Sequence, residues 1–462
     1  MSIIKPSLPK GTRDFSPVEM VKRNYIFEAI KSVFKKFGYQ EIQTPTMENL
    51  TTLTGKYGDE GDQLIFKILN SGDYLKSAHN KSFDFNQDES GKKLLSLVSE
   101  KALRYDLTVP FARYVVMHQN DITFPFKRFQ VQPVWRADRP QKGRYREFYQ
   151  CDADVVGSES LLNEAEFVLI YDEALSSLGL KDFTIKINNR KILSGIAEII
   201  GKPELIVDMT VAVDKLDKIG LDGVCTELVE RGFTAADIDK LRPVILLEGS
   251  NAEKIDSLKQ VLADSEIGLK GINEIESIFD YLKCFTLFNA AVELDITLAR
   301  GLNYYTGAIF EVKTNEAVMG SIGGGGRYDD LTGMFGLKGL TGVGISFGAD
   351  RIYDVLEELD LFPESTQQTT RVLISNFDPE AERYALPLLQ QLRNEGIATE
   401  LYPSAAKLKK QMSYADDKKI QYVILIGSDE IESGQLTLKN MQSGEQQKLT
   451  VAELVNHLKQ TN

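Results

Sequence analysis

Apolar side chains recur at helical spacing near the start of the chain. Between residues 17 and 37 they repeat every three or four positions, which predicts an amphipathic helix with one buried face. Pro17 suits the first turn of this helix, and Gly38 suits its C-terminal end. The next segment, E-I-Q-T-P, alternates like a short strand, and Pro45 indicates that the strand ends there or lies at a sheet edge.

Two extended stretches between residues 122 and 157 predict a long antiparallel hairpin. The chain enters through F-K-R-F-Q-V-Q-P-V-W-R and leaves through R-E-F-Y-Q-C-D-A-D-V-V, around a polar loop that contains glycine. A helix is predicted from about Leu161 to Leu178, and the strand F-T-I-K-I follows it. Residues 195–285 are mainly helical in pattern, and T-L-A-R-G-L-N-Y-Y-T-G-A-I-F-E-V-K resumes the strand pattern. We therefore interpret 195–285 as an insertion between strands of one sheet.

Beyond a last helix, predicted from Ala349 to about Leu359, the chain passes through the polar linker L-F-P-E-S-T-Q-Q-T-T. Strand and helix patterns then alternate, which predicts a small, largely parallel α/β domain. The expected organisation is a core over residues 1–365, interrupted by the insertion at 195–285, and a separate domain over 368–462.

Composition excludes several classes of protein. The chain has 462 residues, of which 42% are hydrophobic and 26% charged, as expected for an ordinary globular protein with more than one domain. Its net charge of −13 excludes a uniformly basic nucleic-acid coat protein, although it allows a local basic patch. The N-terminus lacks the apolar run of a secretory signal, and no segment is long and apolar enough for a bilayer. We expect a soluble, cytoplasmic protein.

Cysteines and histidines are few and scattered. Cys151, Cys225 and Cys284 form no C-x-x-C pair, and the three histidines lie far apart in the sequence. We therefore expect neither a zinc knuckle nor a disulfide framework, and we assign no metal-ligating residue.

The predicted hairpin concentrates positive charge. Residues 126–146 contain seven basic residues and one acidic residue, a local charge of +6 in a chain of net −13. The basic residues are Lys127, Arg128, Arg136, Arg139, Lys142, Arg144 and Arg146. Arginine suits phosphate because its guanidinium fork stays charged and binds phosphate oxygens in pairs. A solvated hairpin with exposed cations explains the same composition, so both interpretations stay open.

A glycine cluster, Gly320 and Gly323 to Gly326, precedes Arg-Tyr-Asp. Consecutive glycines inside a fold carry an entropic cost, which indicates a need for close backbone approach. The cluster is not a phosphate-binding P-loop, because no G-K-[ST] follows it, and it does not fit the spacing of a dinucleotide fingerprint. A flexible linker is the other interpretation, which the flanking apolar segments disfavour.

Two further arginines lie in settings that suit an anionic ligand. Arg351 falls in the first turn of the last core helix, where the helix N-terminus already favours anions. Pairing with Asp350 or Asp354 on the helix surface is the alternative. Arg300 precedes G-L-N-Y-Y-T-G, where a cation, two tyrosines and two glycines indicate a small polar ligand facing aromatic walls. Plain core packing would also explain the tyrosines.

Polar residues also alternate along the outgoing hairpin strand. Gln150, Asp152 and Asp154 share one face, which is either solvent-exposed or lines a pocket for a cation. Asp106 and Thr108, in L-R-Y-D-L-T-V-P-F, are candidates for a second acid and a hydroxyl at such a pocket.

Taken in order, these segments resemble the three motifs of class II aminoacyl-tRNA synthetases, and in particular the histidyl-tRNA synthetase family. The first helix with F-G-Y-Q-E-I-Q-T-P is similar to motif 1, the hairpin strands to motif 2, and G-V-G-I-S-F-G-A-D-R to motif 3. Two segments, L-A-R-G-L-N-Y-Y-T-G and G-G-G-R-Y-D, resemble signatures of the histidine-specific family. The class I signatures H-I-G-H and K-M-S-K-S are absent. The similarity runs from about residue 8 to the C-terminus.

The resemblance implies an α+β fold, with an antiparallel class II synthetase catalytic core, a mainly helical insertion and a C-terminal α/β anticodon-binding domain. It implies a homodimeric ligase that activates L-histidine with ATP and Mg²⁺ and transfers it to the 3' end of tRNA(His).

The resemblance also implies roles for individual residues. The implied catalytic residues are Arg300, Arg136 and Arg351. The implied histidine-binding residues are Asp106, Thr108, Arg136, Gln150, Asp154, Arg300, Tyr304 and Tyr305. The implied ATP-binding residues are Arg136, Arg144, Phe148 and Arg351. The implied pocket glycines are Gly323, Gly324, Gly325 and Gly326. Arg139 and Gln141 would meet the tRNA acceptor end.

A non-catalytic paralogue is the main alternative, similar to the regulatory subunit of ATP phosphoribosyltransferase. That family keeps the class II core but normally lacks the anticodon-binding domain and loses the motif arginines. Arg136, Arg300 and Arg351 are present here, and so is the extra domain, which favours the ligase.

Overall fold

The structure, a computed structural model, describes residues 5–80, 83–84, 91–299, 305–367 and 370–460. These residues form two compact units. The first contains the described residues up to Arg13 and those of Ile26–Leu361, and the second contains Asp14–Tyr25 and the described residues from Phe362 onward.

Helices and strands of the first unit follow the predicted order. The helices before the insertion, the first of which is shared between the units, are α1 (Pro17–Lys36), α2 (Leu50–Leu53), α3 (Gly58–Leu64), α4 (Lys76–Asn80), α5 (Lys92–Val98), α6 (Thr108–Met117) and α7 (Leu162–Ser177). The later ones are α8 (Arg190–Ile200), α9 (Ile206–Val213), α10 (Leu216–Glu230), α11 (Ala235–Ile245), α12 (Asn251–Val261), α13 (Glu266–Leu282) and α14 (Ala349–Glu358). The strands are β1 (Gln40–Glu41), β2 (Met47–Asn49), β3 (Lys67–Ile68), β4 (Lys101–Leu103), β5 (Phe126–Trp135), β6 (Glu147–Val156), β7 (Phe183–Asn189), β8 (Ala290–Leu294), β9 (Ala308–Thr314), β10 (Gly323–Asp329) and β11 (Thr341–Gly348).

Eight strands form the main sheet, in the order β1-β5-β6-β11-β10-β9-β7-β8. The six inner strands pair antiparallel, and only the edge strands β1 and β8 pair parallel with their neighbours. The predicted antiparallel core is therefore confirmed, as is the long hairpin, which is formed by β5 and β6. A smaller sheet has the order β2-β4-β3.

Helix α1 packs one apolar face on this sheet, as its period predicts. Ile30 and Phe34 are fully buried. The Phe34 ring centroid lies 5.5 Å from that of Phe129 and 5.8 Å from that of Phe347. Phe129 and Phe347 belong to β5 and β11. The helix therefore covers one face of the sheet, and the polar residues of β6 lie on the opposite face.

The insertion is helical, as predicted, and it extends from α8 to α13. Thr234 and Ser250 each close a capping box at the start of α11 and α12. Gly195 of α8 packs on Gly268 of α13, so closely that an added Cβ would lie 2.6 Å from the Gly268 Cα.

Strand β9, the second strand after the insertion, starts later than predicted. The sequence pattern placed it from Thr297, whereas β9 begins at Ala308. At the predicted start, Asn188 Nδ2 donates to the carbonyl oxygens of Ile296 at 3.2 Å and Leu298 at 2.9 Å, and this part of the backbone forms a turn.

The second unit contains a sheet of its own. Its helices are α15 (Pro379–Asn394), α16 (Leu408–Asp417), α17 (Ser428–Ser433) and α18 (Val451–Gln460). Its strands are β12 (Val372–Ile374), β13 (Thr399–Leu401), β14 (Tyr422–Leu425), β15 (Leu436–Asn440) and β16 (Gln446–Leu449). The sheet order is β13-β12-β14-β15-β16, with the first three strands parallel and the last two antiparallel. The sheet is thus mixed rather than largely parallel, because a short hairpin joins β15 to β16.

Among the described residues, no helix is long and apolar enough to cross a membrane.

Candidate active site

A cavity of about 800 Å³ opens on the first unit, over the polar face of the main sheet. Strands β6, β10 and β11 form its floor, and the loop between β5 and β6 forms part of its wall. Two residues of the insertion, Val207 and Val211 on α9, also line it. Its size suits a ligand as large as a nucleotide with an amino acid.

The acidic part of the floor follows from the two-residue period of β6. Gln150, Asp152 and Asp154 point to the same face, and all three line the cavity. Strand β11 makes room for them with glycine, since a Cβ at Gly344 would lie 2.0 Å from Asp154 Oδ1. The alternation observed in the sequence therefore marks a pocket and not a solvent-exposed face.

Asp154 is held by a cation and a phenol. It is 2% exposed, and its Oδ2 lies 2.6 Å from Nη2 of the fully buried Arg128. The Tyr328 hydroxyl donates to Asp154 Oδ1 at 2.7 Å. Burial raises the pKa of Asp154, whereas the charge of Arg128 and the Tyr328 hydrogen bond lower it. Burial and the same carboxylate raise the pKa of Tyr328 well above its ordinary value.

Asp152 is the second carboxylate of the floor. It is also 2% exposed, and burial raises its pKa from 3.8 to about 7. Its Oδ1 has no hydrogen-bond partner within the described part of the chain. The carboxyl of Asp152 is therefore poised to change charge near neutral pH.

Asp106 adds a third acid from another element. It precedes α6, which begins at Thr108, and its Oδ1 accepts hydrogen bonds from the Tyr57 hydroxyl at 2.8 Å and the Val109 N–H at 3.2 Å. Burial raises the pKa of Asp106, while these hydrogen bonds and Arg136 lower it. Both Asp106 and Thr108 line the cavity.

The opposite end of the cavity is cationic. Arg136 lies with its guanidinium 4.3 Å from the ring centroid of Tyr105 and 5.2 Å from that of Phe148, and its Nε donates to the Tyr105 carbonyl oxygen at 3.1 Å. Arg351 Nε donates to the Gly143 carbonyl oxygen at 2.8 Å, and its Nη1 donates to that of Ser321 at 2.6 Å. Arg144, beside Gly143, is the third arginine of the wall.

The register of the sheet separates these two ends. Gln150 pairs with Gly348, the last residue before the helix that carries Arg351, and Asp154 pairs with Gly344. Four strand residues span about 13 Å. The start of the helix that carries Arg351 and the carboxylate Asp154 therefore lie about 13 Å apart along the floor, while Arg136 reaches the carboxylate of Asp106.

The glycine cluster forms strand β10 along this floor. Gly323, Gly324 and Gly325 line the cavity. A Cβ at Gly325 would lie 2.1 Å from the carbonyl oxygen of Gly344, so the close pairing of β10 with β11 requires glycine there. Arg327, next in the sequence, makes a buried bidentate pair with Glu164, with Nε–Oε1 at 2.5 Å and Nη2–Oε2 at 2.8 Å.

The structure brings most of the predicted site residues to this one cavity. Those that line it are Asp106, Thr108, Arg136, Arg144, Phe148, Gln150, Asp154, Tyr305, Gly323, Gly324, Gly325 and Arg351. Three others do not: Gly326 lies in β10 against Tyr305 and Ala308, and Arg139 and Gln141 are exposed in the loop between β5 and β6. Arg300 and Tyr304 lie outside the described residues.

Several residues that shape the site were absent from the predicted set. Asp152 was visible in the sequence through its alternation with Gln150 and Asp154, yet it was assigned no role. Tyr57 contacts Asp106, and Arg128 and Tyr328 contact Asp154, in each case from another element. A local sequence pattern does not predict such pairings. Within the described ranges, no group of three or more His, Cys, Asp or Glu side chains could hold a metal ion.

Comparison with known proteins gives two family matches. Residues 73–352 match the model of histidyl-tRNA synthetase, and residues 371–461 match that of an anticodon binding domain.

Individual relatives agree with these matches. The histidine–tRNA ligase of Phocaeicola vulgatus is 60% identical over 98% of this chain and 98% of its own length. The crystal structure of histidyl-tRNA synthetase from Nostoc sp. PCC 7120 is similar with a TM-score of 0.83 and 31% identity, over 100% of both chains. A Bacillus halodurans protein described as an ATP phosphoribosyltransferase regulatory subunit/histidyl-tRNA synthetase shares the fold, with a TM-score of 0.72, 21% identity, and coverage of 92% of this chain and 100% of its own.

Proposed function

The chain belongs to the histidyl-tRNA synthetase family, and we propose that its cavity joins L-histidine to tRNA(His) at the expense of ATP. The reaction has two steps: formation of histidyl-adenylate with release of pyrophosphate, and transfer of the histidyl group to the 3' end of the tRNA with release of AMP.

The separation of charge within the cavity is the observation that carries this proposal. A triphosphate needs cations, and Arg136, Arg144 and Arg351 supply them at one end. An ammonium group and an imidazole N–H need acceptors, and the carboxylates of β6 supply them, with Asp154 about 13 Å along the strands from Gly348 and Asp152 nearer to it. One cavity thus complements both the triphosphate of ATP and the ammonium group of histidine. The histidine carboxylate and the α-phosphate would meet between the two ends.

In the first step a carboxylate oxygen of histidine attacks the α-phosphorus of ATP in line. The bond from the α-phosphorus to its oxygen bridge with the β-phosphate breaks, and the electron pair leaves with pyrophosphate. The nucleophile is already an anion, so the chain's task is to position the reactants and to neutralise phosphate charge. Arg136 and Arg351 are oriented for this task by backbone carbonyl groups, which fix both guanidinium groups before the substrate arrives.

The remaining ATP contacts are assigned on the family resemblance, to residues that line the cavity. Arg144 holds phosphate oxygens from the loop, and Phe148 stacks on adenine. Arg351 clamps the γ-phosphate region. Arg300, outside the described residues, is assigned to the α-phosphate and the histidine carboxylate on the family resemblance alone.

The histidine pocket is assigned to the carboxylate end. Asp106, Thr108, Gln150 and Asp154 receive the amino group and backbone of histidine, while Tyr305 lines the pocket for its side chain. Tyr304, which the structure does not describe, joins this set on the resemblance. Such a pocket disfavours apolar amino acids, because they would leave its buried polar groups without hydrogen bonds.

Mg²⁺ is proposed to enter with ATP. Magnesium usually keeps several waters and binds through substrate phosphates with one or two carboxylates, so it does not require a cage of protein ligands. Bound there, it neutralises charge on the leaving pyrophosphate.

In the second step the terminal ribose hydroxyl of the tRNA attacks the adenylate carbonyl, and AMP leaves. Arg139 and Gln141 are exposed in the loop beside the cavity, which suits contact with the acceptor end. The second unit is proposed to bind the anticodon through exposed lysines on and near α16: Lys407, Lys409, Lys410, Lys418 and Lys419. Two of them, Lys418 and Lys419, also pair with Glu400 and Asp416. Assembly as a homodimer and residence in the cytoplasm complete the proposal.

Charging of tRNA tests this function. Purified chain should transfer histidine to tRNA(His) in an ATP-dependent reaction, and Arg136→Gln should lower the rate at least a hundredfold, on the order of the loss of an electrostatic stabiliser. Arg242→Gln, which alters an exposed arginine of α11, is the matched control and should charge normally. A folded wild-type chain that charges no tRNA, or an Arg136→Gln variant as active as the control, would contradict the proposal.

A further inference from the structure

The N-terminal segment Pro9–Arg13 lies along the loop between β5 and β6. The Arg146 N–H donates to the Gly11 carbonyl oxygen at 2.9 Å, and Arg146 Nη1 donates to that of Lys10 at 3.3 Å. Gly11 has a φ of +89°, and a Cβ there would lie 2.8 Å from Arg146 Cγ and 2.9 Å from Pro140 Cγ. The close approach of this segment to the loop therefore depends on glycine.

Arg13 contacts the loop and helix α14 together. Its guanidinium lies 3.3 Å from the ring centroid of Tyr145 in the loop, and it forms an ion pair with Asp350 in the first turn of α14. Tyr145 in turn donates its hydroxyl to Asp354 of the same helix at 3.0 Å. One side chain is thus stacked on one element and charge-paired with the other.

Asp350 depends on this arginine. Its side chain is only 4% exposed, and its Oδ2 accepts the Tyr149 N–H at 2.8 Å, which ties the helix to the start of β6. A buried carboxylate that loses its cationic partner is costly, so removal of Arg13 favours movement of the first turn of α14 toward water.

Arg351 is the next residue of that turn. Its Nε donates to the Gly143 carbonyl oxygen of the loop at 2.8 Å, and a Cβ at Gly143 would lie 3.7 Å from the Arg351 side chain. A shift of α14 against the loop would therefore break the contact with the loop that helps to orient this guanidinium.

We propose that Arg13 is a positioning residue for the cationic end of the cavity, holding Arg351 and the loop of residues 136–146 in one arrangement. This inference rests on the proposed function in assigning that end to ATP. It predicts a selective effect, because Arg13 joins the loop to α14, whereas the carboxylate end is built on β6, β10 and α6.

The test compares Arg13→Gln, Arg13→Lys and a control in histidine-dependent ATP–pyrophosphate exchange. Arg13→Gln should raise the KM for ATP or lower kcat by on the order of tenfold to a hundredfold, with the KM for histidine within about twofold of wild type. Arg13→Lys keeps the charge but loses the planar stacking group, so it should recover only part of the loss. Glu358→Gln, which removes the exposed Lys142–Glu358 ion pair between the same loop and helix, should behave as wild type.

Hydrogen–deuterium exchange separates this inference from the proposed function. In the free chain, Arg13→Gln should speed exchange in residues 136–146 and in the first turn of α14 at least severalfold, and Glu358→Gln should not. Unchanged hydrogen–deuterium exchange of Arg13→Gln in these two segments would overturn the positioning role. Equal increases in the KM for ATP and the KM for histidine would also overturn it. A wild type that lacks pyrophosphate exchange while Arg13→Gln loosens the loop would contradict the proposed function and leave the positioning role supported.

Discussion

The Tyr328 hydroxyl donates a hydrogen bond of 2.7 Å to Asp154 Oδ1, across the floor of the cavity. The donor comes from β10 and the acceptor from β6, and the two strands are separated by β11, which is glycine at the point of contact. The hydrogen bond lowers the pKa of a carboxyl that burial raises. It therefore opposes the effect of burial on Asp154 and fixes the orientation of this carboxyl at the end of the cavity assigned to histidine.

Tyr328→Phe should weaken both the fold and histidine binding. Loss of a hydrogen bond to a buried charged group should lower the free energy of unfolding by about 1–3 kcal/mol. The KM for histidine should rise more than the KM for ATP, because only the carboxylate end changes. Denaturant unfolding and exchange kinetics measure the two effects. Tyr281→Phe, at a 41% exposed tyrosine of α13, should change neither, and equal effects of the two variants would refute the assignment.

Asp152 should make stability depend on pH. Its pKa is about 7 in the folded chain against an ordinary value of 3.8, so the folded state binds the proton more tightly between those values. The stabilisation is present at low pH and is lost as the pH rises through about 7. Arg128, Asp154 and Asp106 are the charged groups that influence it, and all remain in the variant Asp152→Asn.

Unfolding curves of wild type and Asp152→Asn between pH 5 and pH 8 check this prediction. The wild type should lose stability relative to the variant as the pH rises. Parallel pH profiles would show that Asp152 does not titrate in this range.

Glu164 and Arg327 form the buried ion pair behind the glycine strand, with side chains 0% and 5% exposed. Glu164→Gln should lower the free energy of unfolding by about 3–5 kcal/mol, because it leaves the buried Arg327 charge without its partner. Glu173→Gln breaks the more exposed Lys36–Glu173 pair and should cost less than about 1 kcal/mol. Similar losses in the two variants, measured by denaturant unfolding, would count against a buried role for Glu164.

Gly325→Ala should prevent the correct pairing of β10 with β11. Its Cβ would lie 2.1 Å from a backbone oxygen, which no side-chain adjustment relieves. We expect insoluble protein or a large fall in Tm. Gly348→Ala, in the same sheet, is the control and should fold, because its Cβ would lie 3.4 Å from the Ile322 carbonyl oxygen. A soluble Gly325→Ala variant with the wild-type Tm would contradict the described register.

Much of the fold follows from local patterns in the sequence. The period of α1, the two extended arms of the hairpin and the helical run of the insertion each depend on residues near one another in the chain, and each is confirmed. The predicted start of β9 was wrong. Asn188 donates hydrogen bonds to carbonyl groups more than a hundred residues away, and a local pattern does not contain such a contact. The mixed sheet of the second unit was missed because strand direction depends on partners, which a periodic pattern does not contain.

Within the candidate site, too, local features were predicted and long-range contacts were not. The alternation of Gln150, Asp152 and Asp154 is local, and it identified one face of β6. Neither the donor from Tyr328 nor the contact of Arg13 with α14 was predicted, since those residues lie 174 and 337 positions from their partners. Sequence patterns found the residue types that the chemistry needs, while the tertiary fold determines which of them meet.

Amino-acid-dependent ATP–pyrophosphate exchange, run with each of the twenty amino acids and Mg²⁺, tests the central claim most directly. The account predicts exchange with histidine and none above background with the other nineteen, and it predicts loss of that exchange in Arg351→Gln but not in Arg242→Gln. Exchange with a different amino acid would contradict the assignment of the carboxylate end to histidine. No exchange from well-folded chain would contradict the proposed reaction and favour a non-catalytic, regulatory role.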